Sequence, residues 1–168
     1  MPRRLAILVL LCALMAALAV GTADAASAKP ALPGSVPSPA RFVPPPPPPE
    51  PTLAERAVQI ARSQLGVPYV YGGASPGGFD CSGLVMWVYG RLGVPLPHNA
   101  AALYSVGRPV SLAHMKPGDL VFFHGLGHVG IYIGQGRMIH APQTGERVEI
   151  EALGERSGVV EGARRVAA

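Results

Sequence analysis

One cysteine and two histidines have the residue types that nucleophilic catalysis needs, at places where secondary structure would present them. Cys81 stands where a loop runs into an apolar segment with helical patterning. Backbone N–H groups at a helix start favour negative charge, so we expect this thiol to have a depressed pKa and to supply a thiolate nucleophile. His128 begins a strongly alternating strand and is the candidate base for the thiol proton. The alternative interpretation of each residue is structural, as a buried cysteine and a satisfied strand histidine.

The second histidine, His140, follows a glycine-rich turn that we expect to join the two strands of a hairpin. A three-residue loop over 134–136 would pair Ile133 with Arg137, and it would place His140 diagonally from His128 on the same face. A two-residue loop would instead place the two histidines on opposite faces. The sequence therefore predicts Cys81 as nucleophile, His128 as base and His140 as the residue that orients His128.

A zinc site is the rival chemical interpretation of these residues. Its ligands would be Cys81, His128 and His140, with or without His124. The cysteine is solitary and no paired Cys or His spacing accompanies it, so we expect no metal and no cofactor. His98 and His114 lie in polar loop contexts, and we expect both to be solvated.

The N-terminal part of the chain has the composition of an export signal followed by a spacer. Two arginines precede an uncharged apolar run, Leu5–Val20, and Ala23-Asp24-Ala25 offers small residues for cleavage. We therefore expect a signal peptide over 1–25, with an uncleaved membrane anchor as the alternative. Residues 26–51 end in the run Pro44–Pro49. Proline excludes helix and sheet there, so we expect a disordered, extended spacer.

The remaining residues, 52–168, are long enough to form one domain around a single core. Lys and Arg outnumber Asp and Glu by 14 to 10 in the whole chain, but four of the basic residues precede Thr52. The domain is therefore nearly neutral and carries no basic stripe with interleaved aromatic residues, which argues against a nucleic-acid partner. Cys12 lies within the predicted signal peptide, so Cys81 would be the only cysteine of the mature protein.

Apolar periodicity places helices in the first half of this domain and strands in the second. Thr52 and Glu55 form a capping box at a first helix, Asp80–Leu92 is a second, and Asn99 caps a short third helix to about Tyr104. The predicted strands are 120–123, 128–133, 137–141, 148–152 and 159–166. Helices followed by antiparallel strands indicate an α+β fold.

Several motifs, in one order, resemble those of the NlpC-type cell-wall endopeptidases, which are papain-like cysteine peptidases of bacteria. The motifs are Gly66-Val67-Pro68-Tyr69 with Gly72-Gly73, Phe79-Asp80-Cys81-Ser82-Gly83-Leu84-Val85, Lys116-Pro117-Gly118-Asp119-Leu120-Val121-Phe122-Phe123, His128-Val129-Gly130-Ile131-Tyr132-Ile133-Gly134 and Met138-Ile139-His140-Ala141-Pro142. The resemblance covers nearly all of 52–168 and implies a papain-like fold. It also implies that Cys81 and His128 are the catalytic pair and that His140 is the third polar residue.

The same resemblance implies roles for three residues near the nucleophile. Tyr69 would act with the backbone N–H of Cys81 to hold the scissile carbonyl. Its alternative role is core packing, and Tyr71 lies nearby in a similar context. Asp80 and Ser82 would help to hold the substrate peptide at the edge of the site, although Asp80 also suits a helix cap.

The substrate implied by the resemblance is the stem peptide of peptidoglycan, cut between γ-D-glutamate and the diamino acid, commonly meso-diaminopimelate. One departure bears on substrate detail, because Pro97-His98-Asn99-Ala100 stands where family members often have Arg or a hydroxyl residue after the proline. We expect a secreted or wall-associated monomer without stable membrane insertion after signal cleavage. Two alternatives remain: a non-catalytic wall-binding domain on the same fold, and a related thiol amidase or acyltransferase.

Overall fold

The computed structural model describes residues 44–155 and 160–166, and every helix and strand in it lies in the unit formed by residues 46–168. The predicted signal peptide and the first part of the predicted spacer lie outside the described residues. Residues 44–51 are exposed and form neither helix nor strand, as the proline run predicts. Among the described residues, no helix has both the length and the apolar character needed to cross a bilayer.

Three α-helices begin at the predicted caps. The first, α1, spans Leu53–Arg62 and starts with a complete capping box between Thr52 and Glu55. The second, α2, spans Cys81–Gly90 and ends two residues before the predicted Leu92. The third, α3, spans Ala100–Tyr104, and the Asn99 side chain accepts a hydrogen bond from the Ala102 amide at 2.9 Å. A short 3₁₀ turn, Leu112–His114, follows later in the chain.

The strands form a two-stranded and a six-stranded sheet, both antiparallel. The strands are β1 Ala74–Ser75, β2 Gly78–Phe79, β3 Arg108–Val110, β4 Leu120–Phe123, β5 His128–Gly134, β6 Arg137–His140, β7 Glu149–Ala152 and β8 Val160–Arg165. The larger sheet has the order β3-β8-β4-β5-β6-β7. The sequence pattern missed β1, β2 and β3, because two or three residues are too few for an alternation to be detected.

The core lies mainly between the helices and one face of the six-stranded sheet. Val129 and Ile131 of β5 pack there with buried residues of α1 and α2, such as Ala57 and Leu84. The opposite face carries a smaller apolar cluster centred on Val121, Phe123 and Met138. The alternation predicted for β5 is therefore confirmed, and the helices followed by an antiparallel sheet make this an α+β, papain-like fold.

The hairpin between β5 and β6 has the predicted register but not the predicted turn. Ile131 pairs with Ile139 and Tyr132 with Met138, which is the register that the expected loop required. At the turn, however, Arg137 faces Gly134 and not Ile133, because the register shifts between Tyr132 and Gly134. The loop has two residues, 135 and 136, and the bulge beside it restores the register that a two-residue loop alone would have lost.

Candidate active site

An open cleft of about 440 Å³ lies at the N-terminal end of α2. Cys81, the first residue of that helix, lines this cleft. Its neighbours Asp80 and Ser82 line the cleft as well. Three further segments complete the lining: Tyr69, Tyr71 and Gly72 before β1, His98–Ala101 at the start of α3, and Leu126 with Gly127 before β5. Two helix starts and two loops thus meet around one thiol.

The Cys81 thiol is held between α2 and the first residues of β5. The backbone N–H of Val129 interacts with the sulfur, which places the thiol against the peptide that follows His128. Among the described residues Cys81 is the free cysteine, and it is partly buried. The thiol therefore meets the strand that carries the candidate base, as the sequence predicts.

The structure contradicts the expectation of a depressed thiol pKa. Burial raises the pKa of Cys81 above its ordinary value, and the negative charge of Asp80 raises it further. Backbone N–H groups of Val129, Ser82 and Cys81 itself lower the pKa but do not reverse the effect of burial. The sequence pattern indicated the helix start but could not reveal how much solvent the surrounding fold removes from the sulfur.

His128 and His140 are joined by a hydrogen bond between their rings. His128 Nε2 lies 2.8 Å from His140 Nδ1, and the two rings are almost perpendicular at 89°. Both side chains are buried, His140 completely. The predicted contact between the two histidines is therefore present, and it uses Nε2 of His128 rather than Nδ1.

Two carboxylates of β7 lie beyond His140 on the same side of the sheet. His140 Nε2 is 2.9 Å from Glu151 Oε2 and 3.8 Å from Glu149 Oε1. The Glu151 side chain is 17% exposed, whereas that of Glu149 is 50% exposed. The sequence pattern did not single out these glutamates, because they lie on a neighbouring strand whose pairing with β6 sets their distance from His140.

Asp80 is both the cap of α2 and a polar hub of the cleft. Its Oδ1 accepts hydrogen bonds from the Gly83 amide at 2.6 Å and from the Ser82 hydroxyl at 3.1 Å. Its Oδ2 accepts one from the Gly72 amide at 3.0 Å. The capping role weighed from the sequence is therefore present. Ser82 also lines the cleft, although it is largely buried.

His98 is exposed, as the sequence pattern predicted, but it also has a partner that the pattern did not indicate. Its Nε2 lies 2.9 Å from both carboxylate oxygens of Asp80, and its side chain, 29% exposed, lines the cleft. The neighbouring Pro97-His98-Asn99 departure was the signal that could have located it. His114 is likewise exposed as predicted, beside the Ser111 hydroxyl. His124 is also exposed and directly follows β4, with its ring centroid 6.3 Å from that of His128.

Tyr69 and Tyr71 occupy different environments despite their similar sequence context. Tyr69 is partly buried, and burial followed by the nearby charge of Cys81 raises the pKa of its hydroxyl. A raised pKa keeps the phenol protonated, so that it can donate a hydrogen bond. Tyr71 is 89% exposed at the rim of the cleft. The structure thus places Tyr69, not Tyr71, next to the thiol.

Glycines allow the loop before β1 to lie directly against the start of α2. A Cβ atom at Gly83 would come within 2.0 Å of the Gly73 carbonyl oxygen, and one at Gly73 within 2.5 Å of the Gly78 carbonyl oxygen. The Asp80 amide donates to the same Gly73 oxygen at 2.9 Å. Close backbone packing therefore holds the Tyr69 loop beside Cys81.

The residues of the rival zinc site are not grouped as that interpretation requires. Within the part of the chain that the structure describes, the potential ligand atoms that come within 4.8 Å of one another belong to His140, Glu149 and Glu151. That grouping does not include Cys81, which lies on the cleft side of β5. The thiol is therefore not part of the group of potential ligands that includes these carboxylates.

The fold and the cleft define a papain-like protein with a thiol at a helix start and two linked histidines on the adjoining strands. The sequence pattern of the NlpC/P60 family matches residues 66–158, which include all three of these side chains. The chain belongs to the NlpC/P60 family.

Similar proteins with curated names are endopeptidases and related peptidases. A probable endopeptidase of Mycobacterium tuberculosis is 49% identical over 109 residues, covering 64% of this chain and 28% of that protein. The gamma-D-glutamyl-L-lysine dipeptidyl-peptidase of Bacillus subtilis is 43% identical over 108 residues, covering 61% of this chain and 36% of that protein. The chain thus spans about a third or less of the length of these relatives.

Solved structures share the fold of the same region. An NlpC/P60 family protein from Bacillus cereus aligns with a TM-score of 0.66 and 36% identity over 71% of this chain and 42% of that one. The NlpC/p60 domain of the peptidoglycan hydrolase SagA aligns with a TM-score of 0.61 and 35% identity, covering 68% of this chain and 98% of that domain. These alignments confirm the papain-like architecture.

Proposed function

We propose that this protein is a cysteine endopeptidase that hydrolyses peptidoglycan stem peptides. Three observations together carry the proposal. Cys81 begins α2, the Val129 backbone N–H interacts with its sulfur, and a 2.8 Å hydrogen bond joins His128 to His140. The names of the relatives, which include a peptidoglycan hydrolase and a gamma-D-glutamyl-L-lysine dipeptidyl-peptidase, support the substrate class.

In the first half of the reaction, the Cys81 sulfur attacks the carbonyl carbon of the scissile amide. Because the buried thiol has a raised pKa, its proton must leave as the bond forms, and His128 Nδ1 accepts it. The negative charge that develops on the carbonyl oxygen is stabilised by the Tyr69 hydroxyl and the backbone N–H of Cys81. The imidazolium then protonates the leaving amine, and the acyl group remains on sulfur as a thioester.

In the second half, water replaces the amine. His128, neutral again, accepts a proton from the water as its oxygen attacks the thioester carbonyl. The tetrahedral species expels the sulfur, which regains its proton from His128, and the carboxylic acid product leaves. His140 keeps the His128 ring oriented throughout, through the hydrogen bond to Nε2.

The bond that we propose as the target joins γ-D-glutamate to the diamino acid. Asp80, Ser82 and His98 supply polar groups to the cleft, which suit a peptide with charged ends. We further propose that the protein acts outside the cytoplasm, as the N-terminal sequence predicts, since its substrate is found there.

The decisive test is incubation with purified wall fragments, with the cleaved bond identified by mass spectrometry. Cys81→Ala should abolish cleavage and His128→Ala should be nearly as severe, because the first removes the nucleophile and the second the proton carrier. His140→Ala should be milder, since it removes orientation only. Full hydrolysis by Cys81→Ala would overturn the proposal, and binding of wall fragments without cleavage would favour a non-catalytic wall-binding domain.

A related thiol amidase is distinguished by the same spectra. Release of an intact stem peptide from the sugar would identify an amidase, whereas a new N-terminus on the diamino acid identifies the proposed endopeptidase.

A further inference from the structure

A continuous chain of polar contacts runs across three strands of the sheet, from the candidate base to a carboxylate. His128 of β5 contacts His140 of β6 at 2.8 Å, and His140 Nε2 contacts Glu151 of β7 at 2.9 Å. The His140 side chain has no exposed surface, and the Glu151 side chain is 17% exposed. The final contact therefore operates largely away from solvent, where a charge acts strongly on its neighbour.

We propose that Glu151 is a positioning residue, which selects the tautomers of His140 and His128 that the reaction needs. The inference rests on the proposed function of this site, because it explains how His128 is kept in the protonation form that lets it act as the base.

The selection follows from the placement of protons along the chain. The negative carboxylate of Glu151 lies 2.9 Å from His140 Nε2, so its charge favours the His140 tautomer with the proton on that nitrogen. His140 Nδ1 is then unprotonated and accepts a hydrogen bond from His128 Nε2–H. A neutral His128 whose proton is on Nε2 has an unprotonated Nδ1, which is the form that can accept the Cys81 proton.

The opposite order of protons would disable the base. If His140 had its proton on Nδ1, it would donate to His128 Nε2, and a neutral His128 would have its proton on Nδ1. That nitrogen could not then accept the thiol proton. The choice of His128 tautomer matters most when the Cys81 thiol is protonated before the reaction, which is the state that its raised pKa indicates.

Glu149 provides a matched control on the same strand. Its carboxylate is 3.8 Å from His140 Nε2, beyond hydrogen-bond distance, and its side chain is half exposed. Solvent screens such a contact, so its removal should have little effect. The other titratable ring near the pair is His124, which is exposed and 6.3 Å from His128 between ring centroids.

The experiment combines kinetics with nitrogen NMR of labelled histidine rings in the full chain. Glu151→Gln keeps the size and an acceptor oxygen but removes the negative charge, so we expect kcat/KM to fall by about 10-fold. Glu151→Leu removes the acceptor, and we expect a fall of roughly 10–100-fold, mainly in kcat. Glu149→Gln should stay within about threefold of the wild type.

The NMR spectra test the inference without relying on activity. In the wild type, both His128 and His140 should have the proton on Nε2 when neutral. In Glu151→Leu, and partly in Glu151→Gln, the population with the proton on Nδ1 should rise, while Glu149→Gln keeps the wild-type pattern. Thermal unfolding identifies any variant that does not fold. If Glu151→Leu fails to fold, the comparison of wild type with the nearly isosteric Glu151→Gln tests the inference.

Failure of this inference is distinguishable from failure of the proposed function. Wild-type hydrolysis with unchanged rates and tautomers in both Glu151 variants would overturn the inference alone. Loss of wild-type activity on chelation, restored by zinc, would assign the carboxylates to an ion and would also overturn it. A wild type that cleaves no stem peptide would refute the proposed function, and the tautomers would still be measurable.

Discussion

At the scale of single residues, identical side-chain types behave differently because burial and neighbours differ. Cys81 lies at a helix start, which favours the thiolate, yet removal of solvent outweighs that effect and raises its pKa. Tyr69 and Tyr71 are two residues apart, yet one is partly buried beside the thiol and the other is exposed. The environment, and not the residue type, therefore decides which groups are equipped for chemistry.

The first prediction concerns the pH dependence of thiol alkylation. The fold favours the neutral thiol, so the native protein should hold less thiolate near pH 8 than the unfolded chain and react more slowly with iodoacetamide. The measurement is the alkylation rate between about pH 6 and pH 10, with guanidinium-unfolded protein as the control.

By linkage, the stability that comes from burying the neutral thiol is present below the pKa of the unfolded thiol. It is lost as the pH rises through the higher pKa of the folded thiol. Rapid alkylation that persists well below pH 8 in the native protein would contradict this prediction and would indicate a resting thiolate–imidazolium pair.

The second prediction separates the two tyrosines. Tyr69→Phe removes one hydroxyl beside the developing oxyanion, and removal of such a donor typically lowers kcat by roughly 10²–10³. KM should change less, because the hydrogen bond strengthens in the transition state. Tyr71→Phe should leave kcat unchanged, since its side chain is 89% exposed. The reverse result would transfer the oxyanion role to Tyr71.

At the scale of elements, the nucleophile is positioned by backbone packing between α2 and the loop before β1. The Gly73 carbonyl oxygen accepts the Asp80 amide at 2.9 Å, and it lies where a Cβ of Gly83 would have to be. The Asp80 carboxylate joins the loop to the helix, because it accepts hydrogen bonds from the Gly72 and Gly83 amides. The glycines are therefore needed because two backbones approach each other.

The third prediction compares two glycines of the same helix. Gly83→Ala places a Cβ 2.0 Å from a backbone oxygen, so we expect a loss of roughly 1–3 kcal/mol in the free energy of unfolding and a lower kcat/KM. Gly90→Ala meets no atom within 4 Å and should stabilise the helix by about 0.5–1 kcal/mol. Chemical denaturation of both variants measures the difference.

Equal stability of the two variants would show that the loop before β1 yields easily. In that case the close packing would not be what positions Cys81.

At the scale of the whole molecule, the sheet is completed by the end of the chain. Strand β8 lies between β3 and β4, so that it pairs with two strands far from it in sequence. Arg165 of β8 makes two 2.7 Å contacts with the carboxylate of Asp119, which is 1% exposed. The same carboxylate accepts the Lys116 amide at 2.7 Å. This bidentate pair therefore joins the last strand to the turn before β4.

The fourth prediction tests that connection. Arg165→Met leaves the buried Asp119 without its charged partner, so we expect a loss of about 2 kcal/mol in the free energy of unfolding. Arg137→Met, at an exposed position of β6, is the control and should change stability by no more than about 0.5 kcal/mol. Thermal or urea unfolding measures both variants. Equal effects would show that the Arg165–Asp119 pair does not stabilise the fold.

The sequence by itself determined the local features of this protein. The capping residues Thr52, Asp80 and Asn99 start the three helices as predicted, because a cap depends on hydrogen bonds within four residues of chain. The alternation along β5 correctly indicated which side chains face the helices. The motif spacing indicated the family and the predicted contact between His128 and His140.

Only the tertiary structure decided the features that depend on distant segments. The bulge beside Gly134, the placement of β8, the contact of His98 with Asp80 and the carboxylate of Glu151 beside His140 all arise from long-range pairing. The raised pKa of Cys81 belongs with them, since burial is set by every element packed around the sulfur. Hydrogen bonds near in sequence follow local patterns, whereas solvent exclusion and cross-strand distances exist only once the chain has folded.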